Sequence, residues 1–274
     1  PPPPAATLES WTATIAWYLV VALLGAAALP ALVALMPSQP ALAFGIARIA
    51  GVFGFGAIAW WVTWAGVDLW RPGSLAALAA ILVAAGALAG WRRRDALAVA
   101  WSREGWRAEA VFAVLYAAAI ALRVSNPDLW TPGYGGEKPM DFAILNAVVH
   151  ADAFPPPDPW FAGGRLNYYY GGFVPVAALA KLTGTPPAVA TNLAVALWMA
   201  LTGAGLFALA RTLALVLPGV AERRATLAGA IATIAGVGAG NLGIVSALVA
   251  APPSGDGPIA RLGSLVASSD PRWY

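Results

Sequence analysis

The chain lacks cysteine and carries little charge. None of its 274 residues is cysteine, one is histidine, and 11% are charged. Without cysteine there are no disulfide bonds, thiolate nucleophiles or cysteine-ligated zinc sites. A single histidine also excludes a metal centre built from several histidines of this chain. Soluble domains have roughly a quarter charged residues, so the low charge excludes an ordinary soluble domain.

Hydrophobic residues dominate the composition instead. They make up 60% of the chain, and the mean hydropathy is +0.71. Several apolar stretches reach the ~20 residues that cross a bilayer core. The composition therefore predicts an all-α fold, a polytopic transmembrane helix bundle in contact with the lipid bilayer. A long non-cytoplasmic loop would carry short juxtamembrane helices.

The apolar stretches predict six membrane crossings, most of them separated by proline and glycine. The predicted crossings are 15–36, 42–67, 75–90, 108–124, 188–217 and 227–250.

Arginine sets the predicted topology. It is concentrated in the loops 91–107 and 218–226, and short basic loops face the cytoplasm. The loop 125–187 has a mixture of acidic and basic residues and then lies outside, in a multi-pass protein of the cell membrane. Since membrane orientation accounts for the net charge of +3, we expect no nucleic-acid partner.

One apolar segment is too short to cross. Residues 173–182 would form a helix of about 15 Å, half the thickness of the hydrocarbon core. A crossing there would also place Arg223 and Arg224 outside, against the charge rule. We therefore predict a juxtamembrane or re-entrant helix that rests on the outer interface.

Arg48 is the ionisable residue that we single out within a predicted crossing. Such residues are costly in a membrane and tend to be functional. Arg48 lies near the cytoplasmic end, where its side chain can reach the interface by snorkelling. The remaining predicted crossings contain no series of Asp, Glu or His residues of the kind that a proton-coupled transporter needs.

The long loop is expected to carry any chemistry, because loops of this length are functional or disordered and its many aromatic residues argue against disorder. Pro139 favours a helix over 140–153, with Asp141 in its first turn and Asp152 on the same face. A carboxylate in the first turn can be purely structural, since the helix terminus favours it. The catalytic alternative is that Asp141, with Glu137 just before the helix, acts as a general base.

Further loop residues have side chains suited to a phosphorylated sugar. Arginine and lysine could pair with phosphate, the histidine could orient it or relay a proton, and tyrosine could stack on a sugar ring and hydrogen-bond to it. The ordinary alternatives are loop ion pairs, a structural histidine and tyrosines that anchor the interface. The candidates are Lys138, His150, Arg165, Asn167, Tyr168, Tyr169 and Tyr170. No metal ligand is assigned.

Two motifs of this loop resemble a known family. GEKPMDF (136–142), followed by Asn146, and LNYYYGG (166–172) are similar to the Chlor_Arch_YYY domain family of uncharacterised multi-pass membrane proteins. WYL (17–19) and GNLG (240–243) also fit, so the resemblance covers nearly the whole chain. Members of that family are longer, which implies that further loops and crossings follow residue 274.

The layout of that family is similar to the multi-pass (GT-C type) glycosyltransferases that use lipid-linked sugars. In that class an acidic residue of the first large outer loop acts as base or orients the acceptor. By position, the resemblance implies Asp141 for this role, with Glu137 second. Four crossings precede the loop here instead of one. The implied domains are an added N-terminal module with a basic loop (1–107) and a glycosyltransferase-like region, truncated at its C-terminus (108–274).

Three functions follow from these residues and this resemblance. The leading one is an enzyme, a membrane glycosyltransferase that moves a sugar from a polyprenyl-phosphate donor to an acceptor at the non-cytoplasmic face. Asp141 would be the base, and Arg165 or Lys138 would hold the lipid phosphate. The second is a non-catalytic subunit or scaffold with membrane-protein partners, and the third is a transporter. No obligatory cofactor is implied, and a divalent cation stays open.

Overall fold

The structure is a computed structural model that describes residues 8–100, 103–125 and 137–238. Within these ranges it consists of helices without a β-strand, which confirms the predicted all-α bundle. The helices are α1 (Leu8–Leu35), α2 (Pro40–Trp64), α3 (Pro72–Arg92), α4 (Arg94–Ala100), α5 (Arg103–Ser125), α6 (Lys138–Val149), α7 (Phe173–Thr183), α8 (Pro187–Val216) and α9 (Glu222–Thr233), which continues as a π-helical turn, Ile234–Gly238.

Among the described residues, five helices are long and apolar enough to cross a membrane by length and composition. They are α1, α2, α3, α5 and α8, and they correspond to the first five predicted crossings. Proline lies in the first turn of α2, α3 and α8, where its missing N–H leaves no helical hydrogen bond unmade. The sixth predicted crossing begins in α9, and its second half lies outside the described residues.

The long helices alternate in direction, so the bundle has two distinct ends. At one end Arg107, near the start of α5, and Arg211, near the end of α8, both contact the carboxylate of Glu222 at the start of α9. We call this the basic end, because the exposed arginines of the α3–α4 and α8–α9 connections also lie there. The opposite end, which carries α6 and the segment between α6 and α7, is called the loop end.

Two glycines bring α1 against its neighbours. A Cβ atom on Gly51 of α2 would lie 2.3 Å from the carbonyl oxygen of Leu24, and one on Gly86 of α3 would lie 2.6 Å from that of Ala27. Small residues allow this close backbone approach between membrane helices. The first three long helices are therefore packed backbone to backbone.

Helix α7 is enclosed by the bundle. Residues 174–180 are all buried, and α7 contacts α1, α2, α3, α6 and α8. It passes α2 at Gly56, where a Cβ atom would lie 2.9 Å from the Cα of Pro175. Just after its C-terminal end, Thr185 accepts a hydrogen bond of 3.0 Å from the indole Nε1 of Trp17. Within the described residues, helix α7 is therefore surrounded by protein on several sides.

Arg48 does not snorkel, so that prediction is wrong. Its side chain is 12% exposed, and its Nε donates to Glu109 Oε2 at 3.0 Å while a second guanidinium nitrogen contacts the other carboxylate oxygen. The guanidinium also lies over the rings of Tyr18 and Phe112, 4.8 and 4.3 Å from their centres. The sequence analysis missed Glu109 as an ionisable residue within a crossing. Because an opposite charge on α5 is in contact, the arginine does not need the interface.

Candidate functional site

Helix α6 begins where the sequence predicts. Glu137 is its N-cap residue, and Pro139 and Asp141 lie in the first turn. Its buried face, which includes Ile144 and Leu145, packs on the bundle. This packing fixes the orientation of α6, so that Asp141 is held at the edge between the buried face and the loop.

The end of α6 differs from the prediction. The helix stops at Val149 rather than at residue 153, so Asp152 is not on the helix and does not share a face with Asp141. Side chains from elsewhere take the last carbonyl groups: Trp70 Nε1 donates to the oxygen of Val148 at 2.9 Å, and Lys181 Nζ donates to that of Val149 at 2.8 Å. These long-range donors replace the N–H groups that further helical residues would supply.

Glu137, Asp141, Tyr168 and Tyr169 lie near one another, and we call them the acid–tyrosine cluster. Partial burial raises the pKa of Asp141, and the negative charge of Glu137 raises it further. The Tyr168 hydroxyl donates a hydrogen bond to the Tyr169 hydroxyl, and the ring centres are 3.8 Å apart. This bond raises the pKa of Tyr168 to about 12, with smaller contributions from burial and from the charges of Tyr169, Glu137 and Asp141.

The cluster joins the two motifs that the sequence analysis singled out. Within the described residues, the Asp141 carboxylate makes no hydrogen bond or ion pair. A half-buried carboxylate with a raised pKa and no structural partner can accept a proton from a bound hydroxyl group. The arrangement therefore suits a general base beside two phenolic hydroxyls.

Tyr170, the third tyrosine of the motif, is part of the core. It is 9% exposed, its ring stacks on Phe154 with an interplanar angle of 4°, and its edge meets Trp60 with ring centres 6.1 Å apart. Sequence alone did not separate its role from those of Tyr168 and Tyr169. The structure places Tyr170 in the core, away from solvent.

The segment 156–166 forms a tight loop whose tip is aromatic. Asp158 N donates to Gly164 O at 3.1 Å, and Asp158 Oδ1 accepts hydrogen bonds from the backbone N–H groups of Trp160 and Phe161 at 2.8 and 3.1 Å. The side chains of Trp160 and Phe161 are exposed. Since Asp158 bonds to the backbone on both sides of the turn, the tip has a defined shape.

The predicted phosphate-binding residues belong to different segments of the loop end. Arg165 belongs to the 156–166 loop, is exposed, and donates from Nη1 to Pro155 O at 3.0 Å. Lys138 is the first residue of α6 and is half-buried, and Asn167 is exposed. Among the described residues, no group of three His, Cys, Asp or Glu side chains could hold a metal ion.

A cleft of about 630 Å³ lies between α6 and the 156–166 loop. Its volume falls within the roughly 300–1,000 Å³ of small-molecule sites. Its lining includes Pro139, Phe142 and Asn146 of α6, the C-cap residue His150, and Asp158 and Trp160 of the loop. The predicted candidate His150 thus lies in this cleft.

The geometry of His150 assigns its tautomer. Nδ1 lies 2.9 Å from the carbonyl oxygen of Asn146. A carbonyl oxygen only accepts, so Nδ1 carries the proton, and in the neutral ring Nε2 is an acceptor.

Sequence analysis missed most of the cleft. Phe142, Asn146 and His150 are spaced four residues apart, and this spacing places them on one face of a helix, which could have been recognised. Asp158 and Trp160 carried no such signal, because only the fold of the loop brings them opposite α6.

One family model, described as "Uncharacterized membrane protein (DUF2298)", matches residues 55–273. The match begins within α2 and includes α6, the acid–tyrosine cluster and the cleft. No curated protein and no solved structure matches the chain. Since the match covers most of the chain, the protein belongs to this family of uncharacterised membrane proteins, DUF2298.

Proposed function

We propose that the protein is a glycosyltransferase that moves a sugar from a polyprenyl-phosphate donor to an acceptor hydroxyl at the loop end. The observation that carries the proposal is the Asp141 carboxylate, half-buried beside Glu137, with a raised pKa and without a structural partner in the described residues. A purely structural carboxylate in the first turn of a helix would be stabilised by a hydrogen-bond or ion-pair partner. Asp141 instead has the properties that favour proton transfer.

The proposed step is a displacement at the anomeric carbon of the donor sugar. Asp141 accepts the proton of the acceptor hydroxyl, and the acceptor oxygen forms a bond to the anomeric carbon. The bond between that carbon and the phosphate oxygen breaks, and polyprenyl phosphate leaves with the electron pair. Protonated Asp141 then loses its proton to solvent, which restores the base.

Aromatic residues support a position of the cluster near a membrane interface. Trp61 and Trp64, in the last turn of α2, are 57% and 55% exposed, and the edge of Tyr170 meets the neighbouring Trp60. Exposed tryptophans at helix ends are typical of the membrane–water interface. A lipid-linked sugar presents its sugar at that level. The arginines of the basic end support a cytoplasmic location for that end and an outside location for the loop end.

Arg165 and Lys138 are the proposed contacts for the donor phosphate. One guanidinium nitrogen of Arg165 bonds to Pro155 O, and the other N–H groups of the planar fork could bind phosphate oxygens. Lys138 precedes Asp141 by less than one helical turn, so a phosphate held there would lie beside the base. We expect Arg165→Gln and Lys138→Gln to raise the apparent KM for the donor.

The test is a transfer assay in membranes that contain the full-length protein. Radiolabelled mannose, glucose and arabinose are supplied one at a time on polyprenyl phosphate, and label in membrane acceptors is counted. Asp141→Asn keeps the size of the side chain and removes the base. Asp95→Asn is the matched control, because Asp95 is an exposed acid of the basic end, far along the chain from the cluster.

We expect transfer by the wild-type protein and by Asp95→Asn, and a loss of at least a hundredfold in Asp141→Asn, in line with the usual contribution of a general base. Equal transfer by all three proteins would overturn the assignment of Asp141. Absence of transfer from every donor, with the protein inserted and folded, would instead favour the non-catalytic scaffold.

A further inference from the structure

We propose that the cleft between α6 and the 156–166 loop binds a neutral carbohydrate, with a sugar ring against Trp160 and sugar hydroxyls bonded to Asn146, His150 and Asp158. In the proposed transfer reaction this carbohydrate would be the acceptor. Only that last identification rests on the proposed function. The binding itself is argued from the residues of the cleft, independently of any role of Asp141.

The cleft residues leave three acceptor atoms uncommitted, beside the donor groups of Asn146 and Trp160. Asn146 donates one amide N–H to Phe142 O at 2.7 Å, which leaves Oδ1 and the second N–H. His150 uses Nδ1 within α6, which leaves the Nε2 lone pair. Asp158 uses Oδ1 in the turn, which leaves Oδ2. A ligand that satisfies three acceptors must offer several donors, and the hydroxyl groups of a sugar do so.

The apolar part of the lining suits the faces of a sugar ring. Trp160 is 60% exposed although it lines the cleft, so its indole is accessible to a ligand. Phe142 and three prolines add further apolar surface to the lining. Sugar rings have apolar C–H faces that pack on aromatic rings, whereas their hydroxyls point outward to polar groups.

Other ligand classes fit this lining less well. An isoprenoid chain would leave Asn146, His150 and Asp158 facing apolar groups, and a polar group that loses water without gaining a hydrogen bond opposes binding. A phosphate or nucleotide would meet the carboxylate of Asp158, and no lysine or arginine is among the described residues that line the cleft. A neutral polyhydroxyl ligand avoids both penalties.

The cleft runs along α6 towards the acid–tyrosine cluster. From Pro139 to His150 it follows α6 for about 17 Å at 1.5 Å per residue, which is longer than a single sugar ring. Pro139 and Phe142 flank Asp141 in sequence. An oligosaccharide in the cleft would therefore have one end beside Asp141.

Binding can be measured on the full-length protein in lipid nanodiscs. Maltoside and glucoside detergents must be avoided at the final stage, because their head groups are carbohydrates. The probes are maltotriose, cellotriose and mannotriose, and binding is followed by saturation-transfer NMR and titration calorimetry. Trp160→Leu removes the ring that stacks, and Asn146→Leu removes one acceptor while keeping a good helix former. Phe161→Leu is the matched control, an exposed aromatic residue of the same tip that is not among those lining the cleft.

We expect at least one trisaccharide to bind, tenfold or more weaker binding in Trp160→Leu and Asn146→Leu, and less than a twofold change in Phe161→Leu. Failure of all three trisaccharides to bind, or equal effects of the Trp160 and Phe161 substitutions, would overturn the proposal. Asp141→Asn should bind trisaccharide as the wild-type protein does. Loss of transfer with retained binding in Asp141→Asn would separate the two proposals. Absence of binding by the wild-type protein would refute the carbohydrate cleft and would not bear on the role of Asp141.

Discussion

Trp70, in the connection between α2 and α3, donates its indole N–H to the carbonyl oxygen of Val148 at 2.9 Å. The two residues are 78 positions apart in sequence. Trp70 is 2% exposed, and its ring meets Phe154 edge-on with ring centres 4.8 Å apart. The connection between α2 and α3 therefore supports the C-terminal end of α6. The proposed carbohydrate cleft lies along this helix.

Replacing Trp70 by Phe tests this support. The ring is kept in smaller form, but Val148 O loses the indole hydrogen bond and retains only backbone N–H donors, those of His150 and of Ala151, the latter at 3.3 Å. We expect the free energy of unfolding to fall by roughly 1–2 kcal/mol. Backbone amides near the end of α6 should exchange faster in hydrogen–deuterium exchange. Trp64→Phe, a substitution of an exposed tryptophan, should change neither quantity. Unchanged exchange in Trp70→Phe would mean that the contact does not support α6.

The Arg48–Glu109 ion pair should show strong coupling. Removing one partner, as in Glu109→Leu or Arg48→Met, leaves the other charge inside the bundle, at an expected cost of about 3–5 kcal/mol. The double substitution Arg48→Met with Glu109→Leu removes both charges and should recover most of this loss. The measurement is a double-mutant cycle on thermal unfolding in nanodiscs. Additive effects would show that the two side chains contribute independently.

The raised pKa of Asp141 predicts a direction for the pH dependence. The folded protein holds this proton more tightly than the unfolded chain does. Ionised Asp141 therefore lowers stability above its folded pKa, and this penalty disappears as the pH falls below the pKa of the unfolded chain. Asp141→Asn should consequently unfold at a higher temperature than wild type at neutral pH, and the difference should vanish in acid.

Glu137 should influence the pH at which the transfer activity falls on the acid side of its pH profile. Asp141 must be ionised to act as base, so activity falls as the pH drops through its raised pKa. Glu137→Gln removes one cause of that shift, and the acid limb of the kcat/KM profile should move to lower pH. Asp95→Asn should leave the limb in place. A limb that does not move in Glu137→Gln would argue against Asp141 as the titrating base.

The proposed topology can be tested by single cysteines, because the chain has none of its own. Ala162 lies exposed in the 156–166 loop, and Asp95 and Ala221 lie exposed at the basic end. We expect a membrane-impermeant maleimide to label Ala162→Cys in intact cells. Asp95→Cys and Ala221→Cys should be labelled only after permeabilisation. The opposite pattern would reverse the orientation, and with it the face on which any transfer takes place.

Hydrophobic length was enough to predict the first five crossings. Residues 108–124, for example, are apolar over the distance that a bilayer core requires, and α5 covers them. The proline in the first turn of α6 likewise predicted where that helix begins. Both signals are local, because the bilayer and the helical hydrogen-bond pattern act on consecutive residues.

Non-local contacts decided the rest. The position of Arg48 in the sequence favoured the interpretation that its side chain snorkels. Only the packing of α2 against α5 shows that Glu109 neutralises the charge of Arg48. Tyr168 and Tyr170 are two residues apart, yet one joins the acid–tyrosine cluster and the other packs under Trp60. The end of α6 depended on Trp70 and Lys181, which belong to distant parts of the chain.

The sequence by itself therefore determined that the protein is a helical membrane protein, where most of its crossings lie, and which loop carries candidate chemistry, since these follow from runs of neighbouring residues. The tertiary structure alone decided which side chains meet. It enclosed α7 and placed Asp158 and Trp160 opposite α6. The physical reason is that these contacts join residues far apart in sequence, and their geometry depends on how the helices pack.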